Sequence, residues 1–578
     1  MPIKKLKIEA GVNRENTRYT NEGRWYESDN VRFRQGYPEK IGGWTKLTEG
    51  SGIYSYVLGY ARALLQWTQL SGVKLLGIGT DDKYYIEEGG SFTDITPLRV
   101  AAATIDSEPF AMFSIFGLAI LQVHDTAHGA YVGDYVTFSG ADALGGLITA
   151  PLLNKNHKIS KLGKVGDSAE DPLDYYLINL GPVSITDATG TGGISVVAAY
   201  EIHVSGPSSA VVSGYGGGSW GYGDYGVGIA TNVGIQFRTW NHSNFGQALL
   251  ASVPYGPIYK WENDFATKLL PITGGGAPLT HNKLLISDTS RFVFVFGVNP
   301  YGSIDLDPML IRWSSQETFT DWTPLATNSA GSLRLSRGSE IVAVKQSRQE
   351  ILVWTDAALY SLQFIGGNEG WGAQIVGENI TVASNHAIAY ANGTAFWMGR
   401  EKFYSYTGQV QTLPCDLRSY VFGNFNDFEY RQVFSGTNEG FNEIWWFYVS
   451  EDSDNIIEPR ADKYVIYNDI DDGDRFSFVS KVIPDLNFRG STSESPSVQM
   501  TLTPLHDSGS GYNNPVSVGG DSSLPVVRSA TAPIEVYTKQ INLRVRGRQM
   551  SIKLESTDAG VHWQLGSPRI NIRPDGRR

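Results

Sequence analysis

Short runs of alternating apolar and polar residues, separated by turn residues, recur along this chain and constrain its fold more than any other feature. Trp313, Trp354, Trp397 and Trp446 lie in such runs, at intervals of 41, 43 and 49 residues. A period of about 40–50 residues with several strands per unit is typical of the blades of a β-propeller. The clearest strand candidates are 74–79, 291–296, 350–354, 394–398 and 443–448.

Several of these runs lead through a turn into a second strand, which predicts β-hairpins. The strand that ends at Trp354 leads through Thr355 and Asp356 into 359–362, and the strand around Trp397 leads into 403–406. A third hairpin is predicted from 464–467 through the acidic tip 471–474 into 476–478. The structural alternative is a series of β-sandwiches, which does not require a recurring unit of Trp strand, turn and Tyr strand.

The composition excludes helical bundles and disordered chains. The 578 residues include 65 Gly and 25 Pro, about one residue in six, and both break helices. Aromatic residues make up 12% and favour strands, whereas charged residues make up only 18%. A chain with so little charge often covers its surface with other subunits.

We therefore predict an all-β chain that forms a β-propeller with an inserted small β domain and a C-terminal β-sandwich-like unit. The N-terminal segment 1–7 is followed by no apolar run of the length that a signal peptide needs, and the most apolar stretch, 110–123, is too short to span a bilayer. The predicted parts are an N-terminal arm at 1–45, the first part of the propeller at 46–116, the inserted domain at 117–206, the rest of the propeller at 207–483 with a glycine-rich loop at 213–228, and the C-terminal domain at 484–578.

The charge is distributed unevenly along the chain. The net charge is −12, but residues 1–40 carry +3 and residues 534–578 carry +5, which leaves −20 for the middle. Wrapping a nucleic acid requires clustered Lys and Arg, so an acidic body with basic ends argues against that function. It would suit a surface past which DNA moves without sticking.

The apparent motifs for catalysis and cofactor binding lack the flanking structure or spacing that their chemistry requires. The glycine tract matches GxGxxG, but no helical pattern follows it, as dinucleotide binding requires. His124 and His128 would share a helix face, yet strand and glycine flank them, so turn histidines are favoured over a zinc site. The acidic run from Asp469 to Asp474 lacks EF-hand spacing and fits a solvated tip better, with a weak cation site as the alternative.

The single cysteine, Cys415, excludes an intrachain disulfide, and with no nearby histidine in sequence it is predicted to be a buried structural residue. We predict no enzyme activity, no cofactor and no metal site.

The segment from Ser556 to Trp563 fits S-x-D-x-G-x-x-W and resembles the Asp-box hairpin of sialidase-like propellers, and 315–322 is a degenerate copy. The box stabilises a turn: Asp and Ser tie it, Gly adopts its tight conformation, and Trp packs between strands. Sialidase chemistry needs, in addition, an arginine cluster and a Tyr/Glu pair. A propeller that binds or cleaves host glycans is therefore the alternative function.

Segments at both ends and in the middle of the chain resemble tail and head-to-tail proteins of short-tailed bacteriophages. They are 30–44, 238–259, 350–364, 546–550 and 573–578. The resemblance implies a tail nozzle, or tail hub, protein of the virion tail. Such proteins form six-fold rings of propeller subunits below the portal and adaptor, extend and close the DNA channel, and give tail fibres or spikes a docking place. The family has no active-site residues to transfer.

This resemblance implies a homo-oligomeric ring, which is expected to be a hexamer. The ring would contact adaptor or portal-side proteins, tail fibres or spikes, and the outer surface of the host. Double-stranded DNA would pass through it without tight binding. The basic C-terminal end offers candidate contacts between subunits or with the adaptor, and ordinary surface charge is the alternative interpretation. These candidates are Arg544, Arg546, Arg548, Arg569, Arg573, Arg577 and Arg578.

Overall fold

The protein folds as an all-β chain with three parts: a β-propeller, an inserted domain and a sandwich domain. The computed structural model describes residues 3–15, 23–42, 57–166, 171–206, 237–366, 370–451, 464–471, 477–505, 529–547 and 549–576. The predicted glycine-rich loop at 213–228 lies outside these residues, as do Arg548, Arg577 and Arg578.

The chain begins with five short strands, all of which join sheets that are completed by the C-terminal end. The residues predicted as an N-terminal arm are therefore part of the sandwich domain. The strands are β1 (Lys4–Lys5), β2 (Glu9–Val12), β3 (Arg24–Asp29), β4 (Val31–Arg34) and β5 (Tyr37–Lys40).

Blade 1 of the propeller follows as a four-stranded antiparallel sheet in sequence order. Its strands are β6 (Ala61–Thr68), β7 (Lys74–Thr80), β8 (Tyr84–Glu88) and β9 (Ser91–Asp94). Gly79 of β7 lies so close to Trp240 of the next blade that an added Cβ would stand 2.4 Å from the Trp240 Cδ1 atom. Glycine is required there because two blades meet at van der Waals distance.

The inserted domain is a seven-stranded antiparallel sheet with one short helix, packed around its own core. It begins at residue 103, earlier than the predicted 117, because β10 and β11 pair with strands of this sheet. Its elements are β10 (Ala103–Thr104), β11 (Phe110–Ile115), β12 (Leu118–His124), β13 (Tyr135–Ser139), α1 (Ala150–Leu153), β14 (Asn156–Leu162), β15 (Tyr175–Asn179) and β16 (Val197–Tyr200).

Four more four-stranded antiparallel sheets follow in sequence order and form blades 2 to 5. Blade 2 consists of β17 (Asn241–Phe245), β18 (Ala248–Ser252), β19 (Ile258–Trp261) and β20 (Leu270–Pro271), and blade 3 of β21 (His281–Ile286), β22 (Val293–Val298), β23 (Asp307–Trp313) and β24 (Gly331–Arg334). Blade 4 consists of β25 (Ile341–Gln346), β26 (Ile351–Thr355), β27 (Ala358–Gly366) and β28 (Gly370–Glu378). Blade 5 consists of β29 (Ile388–Ala391), β30 (Thr394–Met398), β31 (Phe403–Tyr406) and β32 (Val410–Thr412).

The last sheet of the propeller, blade 6, is a hairpin of two strands among the described residues. Two short helices precede it. The elements are α2 (Arg418–Phe422), the 3-10 helix η1 (Asp427–Gln432), β33 (Phe434–Asn438) and β34 (Glu443–Phe447).

The first strand of each blade lies next to that of a neighbouring blade, as a propeller requires: β6 contacts β17, β17 contacts β21, β21 contacts β25, and β29 contacts β33. Arg62 of β6 donates from Nη1 to Oε1 of Gln432 at 2.7 Å, which joins blade 1 to the helix that precedes blade 6. The ring of blades is thus connected between its first and last members.

The recurring apolar runs proved to be the second strands of their blades. Such a strand is paired on both edges and covered on both faces, so it is apolar throughout: β22 and β26 are buried at every residue. Trp354, Trp397 and Trp446 lie on second strands, whereas Trp313 lies on the third strand of blade 3. The 41-residue interval from Trp313 to Trp354 therefore does not connect equivalent positions.

The sandwich domain closes the chain. It packs the sheet β1-β43-β36-β40 against the sheet β2-β3-β35-β41-β38-β39 around one core, with a smaller sheet β37-β42-β5-β4 beside them. Its C-terminal strands are β35 (Tyr464–Asp471), β36 (Ser477–Ile483), β37 (Leu486–Asn487), β38 (Ser497–Leu505), β39 (Ala530–Glu535), β40 (Ile541–Gly547), β41 (Gln549–Ser556), β42 (Gln564–Leu565) and β43 (Arg569–Pro574).

The predicted hairpin from 464 to 478 is wrong. Strand β35 pairs with β3 and β41, whereas β36 pairs with β40 and β43 in the opposite sheet. Both predicted segments are strands, but a strand pattern cannot tell two strands of one hairpin from two strands that lie in opposite sheets. The C-terminal domain consequently includes residues from 464 onward and begins earlier than the predicted 484.

Candidate functional site

Four of the seven arginines predicted as contacts lie on one exposed face of the sandwich domain. Along β40 the apolar residues turn inward, which leaves Arg544 and Arg546 on the outer face. Strand β36 lies between β40 and β43, and its Phe478 pairs with both Arg546 and Arg573. Residues that are directly paired share one face of a sheet, so Arg573 lies on the same side.

Other cations extend this surface, which we call the basic face. Lys481 of β36 pairs with Asn542 of β40, one of the outward residues of that strand, and Lys5 of β1 pairs with Arg569. The basic face therefore consists of Lys5, Lys481, Arg544, Arg546, Arg569 and Arg573.

Among the described residues, one carboxylate forms an ion pair with the basic face. Asp575 accepts from Nε of Arg546 at 2.6 Å. Arg544, Arg569, Arg573 and Lys481 form no ion pair with any described residue. A concentration of unbalanced positive charge on a chain of net charge −12 is the feature expected of a docking surface for an acidic partner.

A second charged site lies at the centre of the propeller. Two cavities of about 60 and 150 Å³ share Phe237, Thr239 and Arg431 in their linings. We call them together the axial pocket. Lys283 and Glu340 line the smaller cavity, and the residues around the larger one include no carboxylate.

The axial pocket is surrounded by asparagines that join four blades. Asn241 of blade 2 donates to the backbone oxygen of Asn282 in blade 3 at 3.2 Å. Asn385, just before blade 5, donates to Oδ1 of Asn241 at 3.1 Å and accepts from the Val344 backbone of blade 4 at 3.2 Å. Two of these bonds join neighbouring blades, and the bond from Asn385 to Asn241 reaches from blade 5 to blade 2, so together they hold the pocket walls at fixed separations.

Burial controls the charges in this pocket. It lowers the pKa of His242 to about 4 and that of His386 to about 3, so both imidazoles are neutral at pH 7. Burial also lowers the pKa of Lys283, to about 8. Nδ1 of His242 lies 2.7 Å from the Tyr84 hydroxyl, and Nε2 of His386 lies 3.2 Å from Oγ1 of Thr239. The positive charge of the pocket thus comes from lysine and arginine.

Sequence reasoning missed the axial pocket entirely. Its charged residues, among them Lys283, Glu340 and Arg431, come from segments far apart in the chain, so no local motif marks the pocket. One signal was present: β21 and β25, the first strands of blades 3 and 4, carry Lys283 and Lys345 at half-buried positions. Lysine on the innermost strand of a blade points toward the axis, but that strand can be identified only once the blades are assembled.

In the Asp-box segment the predicted roles of Ser556, Gly560 and Trp563 are confirmed, but the flanking strands β41 and β42 lie in different sheets and form no hairpin. The indole of Trp563 is fully buried and donates from Nε1 to Oγ of Ser556 at 3.0 Å, and Gly560 adopts φ +74°. The Asp558 side chain, by contrast, is exposed to solvent. The segment lies in the sandwich domain, away from the propeller.

The remaining candidates also have structural explanations. His124 ends strand β12 and stacks on Tyr175, and His128 follows in a turn, so the two do not share a helix face. The described residues include no group of three or more potential metal ligands. Asp472 and Asp474 lie outside the described residues. Cys415 is half-buried and its thiol pKa is raised by burial, which opposes a nucleophilic role.

Comparison with known proteins identifies no relative by sequence: no protein-family model and no curated protein matches the chain. Among solved structures, an exo-beta-1,3-galactanase from Phanerochaete chrysosporium is 7% identical, with a TM-score of 0.24, over 92% of this chain and all of that one. The phage phi92 endosialidase is 10% identical, with a TM-score of 0.18, over 81% of this chain and 64% of that one.

PorZ, a surface component of the type-IX secretion system of Porphyromonas gingivalis, is 10% identical, with a TM-score of 0.26, over 89% of this chain and 76% of that one. Superpositions at this level carry no argument about function. Among the described residues, no helix is both long and apolar enough to cross a lipid bilayer.

Proposed function

We propose that this protein is a structural subunit of the nozzle of a short phage tail, which assembles with further copies into a six-membered ring. The resemblance of the chain ends to phage tail proteins supports this proposal. The observation that carries it is the basic face, which gathers Arg544, Arg546, Arg569 and Arg573 on one flat exposed surface.

An acidic protein surface is the partner that this face fits best. The chain outside its two basic ends carries a net charge of −20, so a second copy offers the complementary charge. The same excess of negative charge repels DNA from the rest of the molecule. The basic face therefore docks on an acidic surface of a neighbouring subunit or of the adaptor, and DNA passes without tight binding.

The test is the oligomeric state measured by mass photometry as a function of salt. The wild type is expected to form an assembly larger than a dimer at about 0.15 M salt and to lose it near 1 M, where charges are screened within about 3 Å. The double variant Arg544→Glu/Arg573→Glu should stay monomeric. Arg348→Glu, which changes an exposed arginine of blade 4, is the matched control and should assemble normally.

Two results would overturn the proposal. One is a wild-type protein that stays monomeric at every concentration and salt. The other is tight binding of duplex DNA that the double variant abolishes, because the basic face would then be a phosphate-binding surface.

A second candidate function, host-glycan binding or cleavage by the propeller, is favoured by the axial pocket. That function requires clustered basic residues with a carboxylate, and the pocket offers Lys283, Arg431 and Glu340 with Tyr255 and Tyr430 beside them. Incubation with capsular polysaccharide or lipopolysaccharide tests it. Continuous release of reducing ends would show that a structural role is not the full account.

A further inference from the structure

The axial pocket holds more positive charge than the described protein around it neutralises. Lys283 and Arg431 act on each other through their like charges, and Glu340 is the carboxylate that acts on both. Lys345, also half-buried, forms no ion pair with a described residue, and its pKa is lowered by burial alone. Like charges repel each other, so the convergence of two half-buried lysines and Arg431 near this pocket requires an explanation.

Stability does not supply that explanation. Arg431 lines both cavities, but it belongs to the short helix η1 and is exposed, so its charge is not needed to complete a buried core. Its Nε donates to the Tyr430 hydroxyl at 3.1 Å, which fixes the guanidinium without neutralising it. Arg400 lies 3.9 Å from the centre of the same Tyr430 ring on the other side of the cluster. Two guanidinium groups around one tyrosine add to the local positive potential.

The uncharged groups of the pocket are hydrogen-bonding side chains in fixed positions. Thr239, Asn282 and Asn385 line the smaller cavity, and the bonds between blades described above hold the asparagines in place. Fixed amide and hydroxyl donors beside an ammonium and a guanidinium are the groups that bind oxyanions such as carboxylate, sulfate and phosphate.

We propose that the axial pocket is a binding site for an oxyanion, carried either by an acidic sugar or by a free inorganic ion, with Lys283 and Arg431 as its main ligands. The two cavities give room for a single such group and its waters. This proposal does not depend on ring assembly, because the basic face lies in the sandwich domain and shares no residue with the axial pocket.

The experiment is isothermal titration of the full-length protein with inorganic phosphate, galacturonate and glucose at pH 7 and constant ionic strength. Saturable binding of phosphate or galacturonate is expected, and none of glucose. Lys283→Gln and Arg431→Gln should each weaken binding by about tenfold or more, since each removes a charge-assisted bond. Arg348→Gln is the matched control and should bind as the wild type does.

The three ligands separate the two possible sources of the oxyanion. Equal affinity for phosphate and galacturonate indicates a site for a free ion, whereas tighter binding of galacturonate by about tenfold indicates contacts with the sugar ring. Because Lys283 is half-buried, circular dichroism of each variant checks its fold, and Arg431, which is exposed, provides a substitution that the fold tolerates.

Two outcomes overturn the proposal: absence of saturable binding of both phosphate and galacturonate to the wild type, or binding that both variants retain at wild-type affinity. Neither bears on ring assembly, which is measured separately by the oligomeric state.

Discussion

Lys83 of blade 1 and Glu201 of the inserted domain form a salt bridge in which each side chain is only 1% exposed, although 118 residues separate them. Three further groups complete the network. Asp94 accepts from Lys83 Nζ at 3.1 Å, Lys268 donates to Glu201 at 2.6 Å, and Asn156 donates to Glu201 at 3.1 Å. The network fixes the inserted domain to the propeller through a buried ion pair that is flanked by the partly exposed Asp94 and Lys268.

Removing the Glu201 carboxylate should therefore destabilise the protein strongly. Glu201→Ala leaves the Lys83 ammonium buried with Asp94 as its remaining carboxylate partner, and breaking a buried pair from one side costs about 3–5 kcal/mol. The free energy of unfolding in urea measures the effect. Glu262→Ala is the control, because Glu262 is 61% exposed in its pair with Lys260 and such pairs contribute about 0–1 kcal/mol. Equal losses in the two variants would contradict the role of the network.

The pH dependence of stability should reveal Asp134, which is buried in the inserted domain. Burial raises its pKa to about 6 in the folded protein, although Arg99 lies 3.4 Å away and opposes the shift. The folded state then binds a proton that the unfolded state has released, so stability falls as pH rises from about 4 to 6 and the loss persists above 6.

Asp134→Asn keeps the acceptor for the Tyr131 backbone amide and removes the titration. Relative to this variant, the wild type should lose roughly 2–3 kcal/mol between pH 4 and pH 7. Urea unfolding of both proteins across that range is the measurement. Parallel stability curves would show that Asp134 is ionised at its ordinary pKa.

Packing between blades 4 and 5 depends on an edge-to-face pair of tryptophans. The Trp354 and Trp397 rings are fully buried, with centroids 5.3 Å apart and planes at 71°. Trp354→Ala should cost about 3–5 kcal/mol through the cavity that it leaves, and a double-mutant cycle with Trp397→Ala should give a coupling of about 0.5–1.5 kcal/mol. Strictly additive losses would show that the two rings stabilise their blades independently.

Glycine at position 79 should tolerate no side chain. An alanine Cβ there would lie 2.4 Å from the Trp240 ring, whose Nε1 is held by the Thr80 carbonyl oxygen at 2.8 Å. Gly79→Ala is expected to destabilise the protein by about 1–3 kcal/mol. Gly436→Ala, on a strand with open space around it, is the control and should change the melting temperature little.

Oxyanion binding in the axial pocket should weaken as the solution becomes alkaline. The pKa of Lys283 is lowered to about 8 by burial, so its charge is present at pH 7 and largely lost by pH 9.5. His242 and His386 are already neutral over this interval and the Arg431 pKa is raised. Burial also lowers the pKa of Lys345, and it lowers that of Arg238, which lines the smaller cavity, to about 10. Titration with galacturonate, whose carboxylate is ionised at both pH values, tests this, and Lys283→Gln should reduce the dependence.

Residues that act through their immediate neighbours were predictable from the sequence. The second strands of five blades were found because they are short runs rich in apolar and aromatic residues between turns, and β26 is buried at every position. The Asp-box turn was found because Ser556, Gly560 and Trp563 interact within eight residues. The position of blade 2's second strand, β18, was not identified among the candidates because its small residues weaken the pattern.

The sequence by itself determined the all-β class, the blade-like repeat and the basic character of the C-terminal end. Tertiary structure alone decided that the N-terminal strands complete the C-terminal sandwich, that Arg544 and Arg573 share a face, and that Lys283 and Arg431 meet at the propeller axis. The physical reason is that periodicity shows which face of a strand is buried, whereas the partner across that face depends on packing between segments hundreds of residues apart.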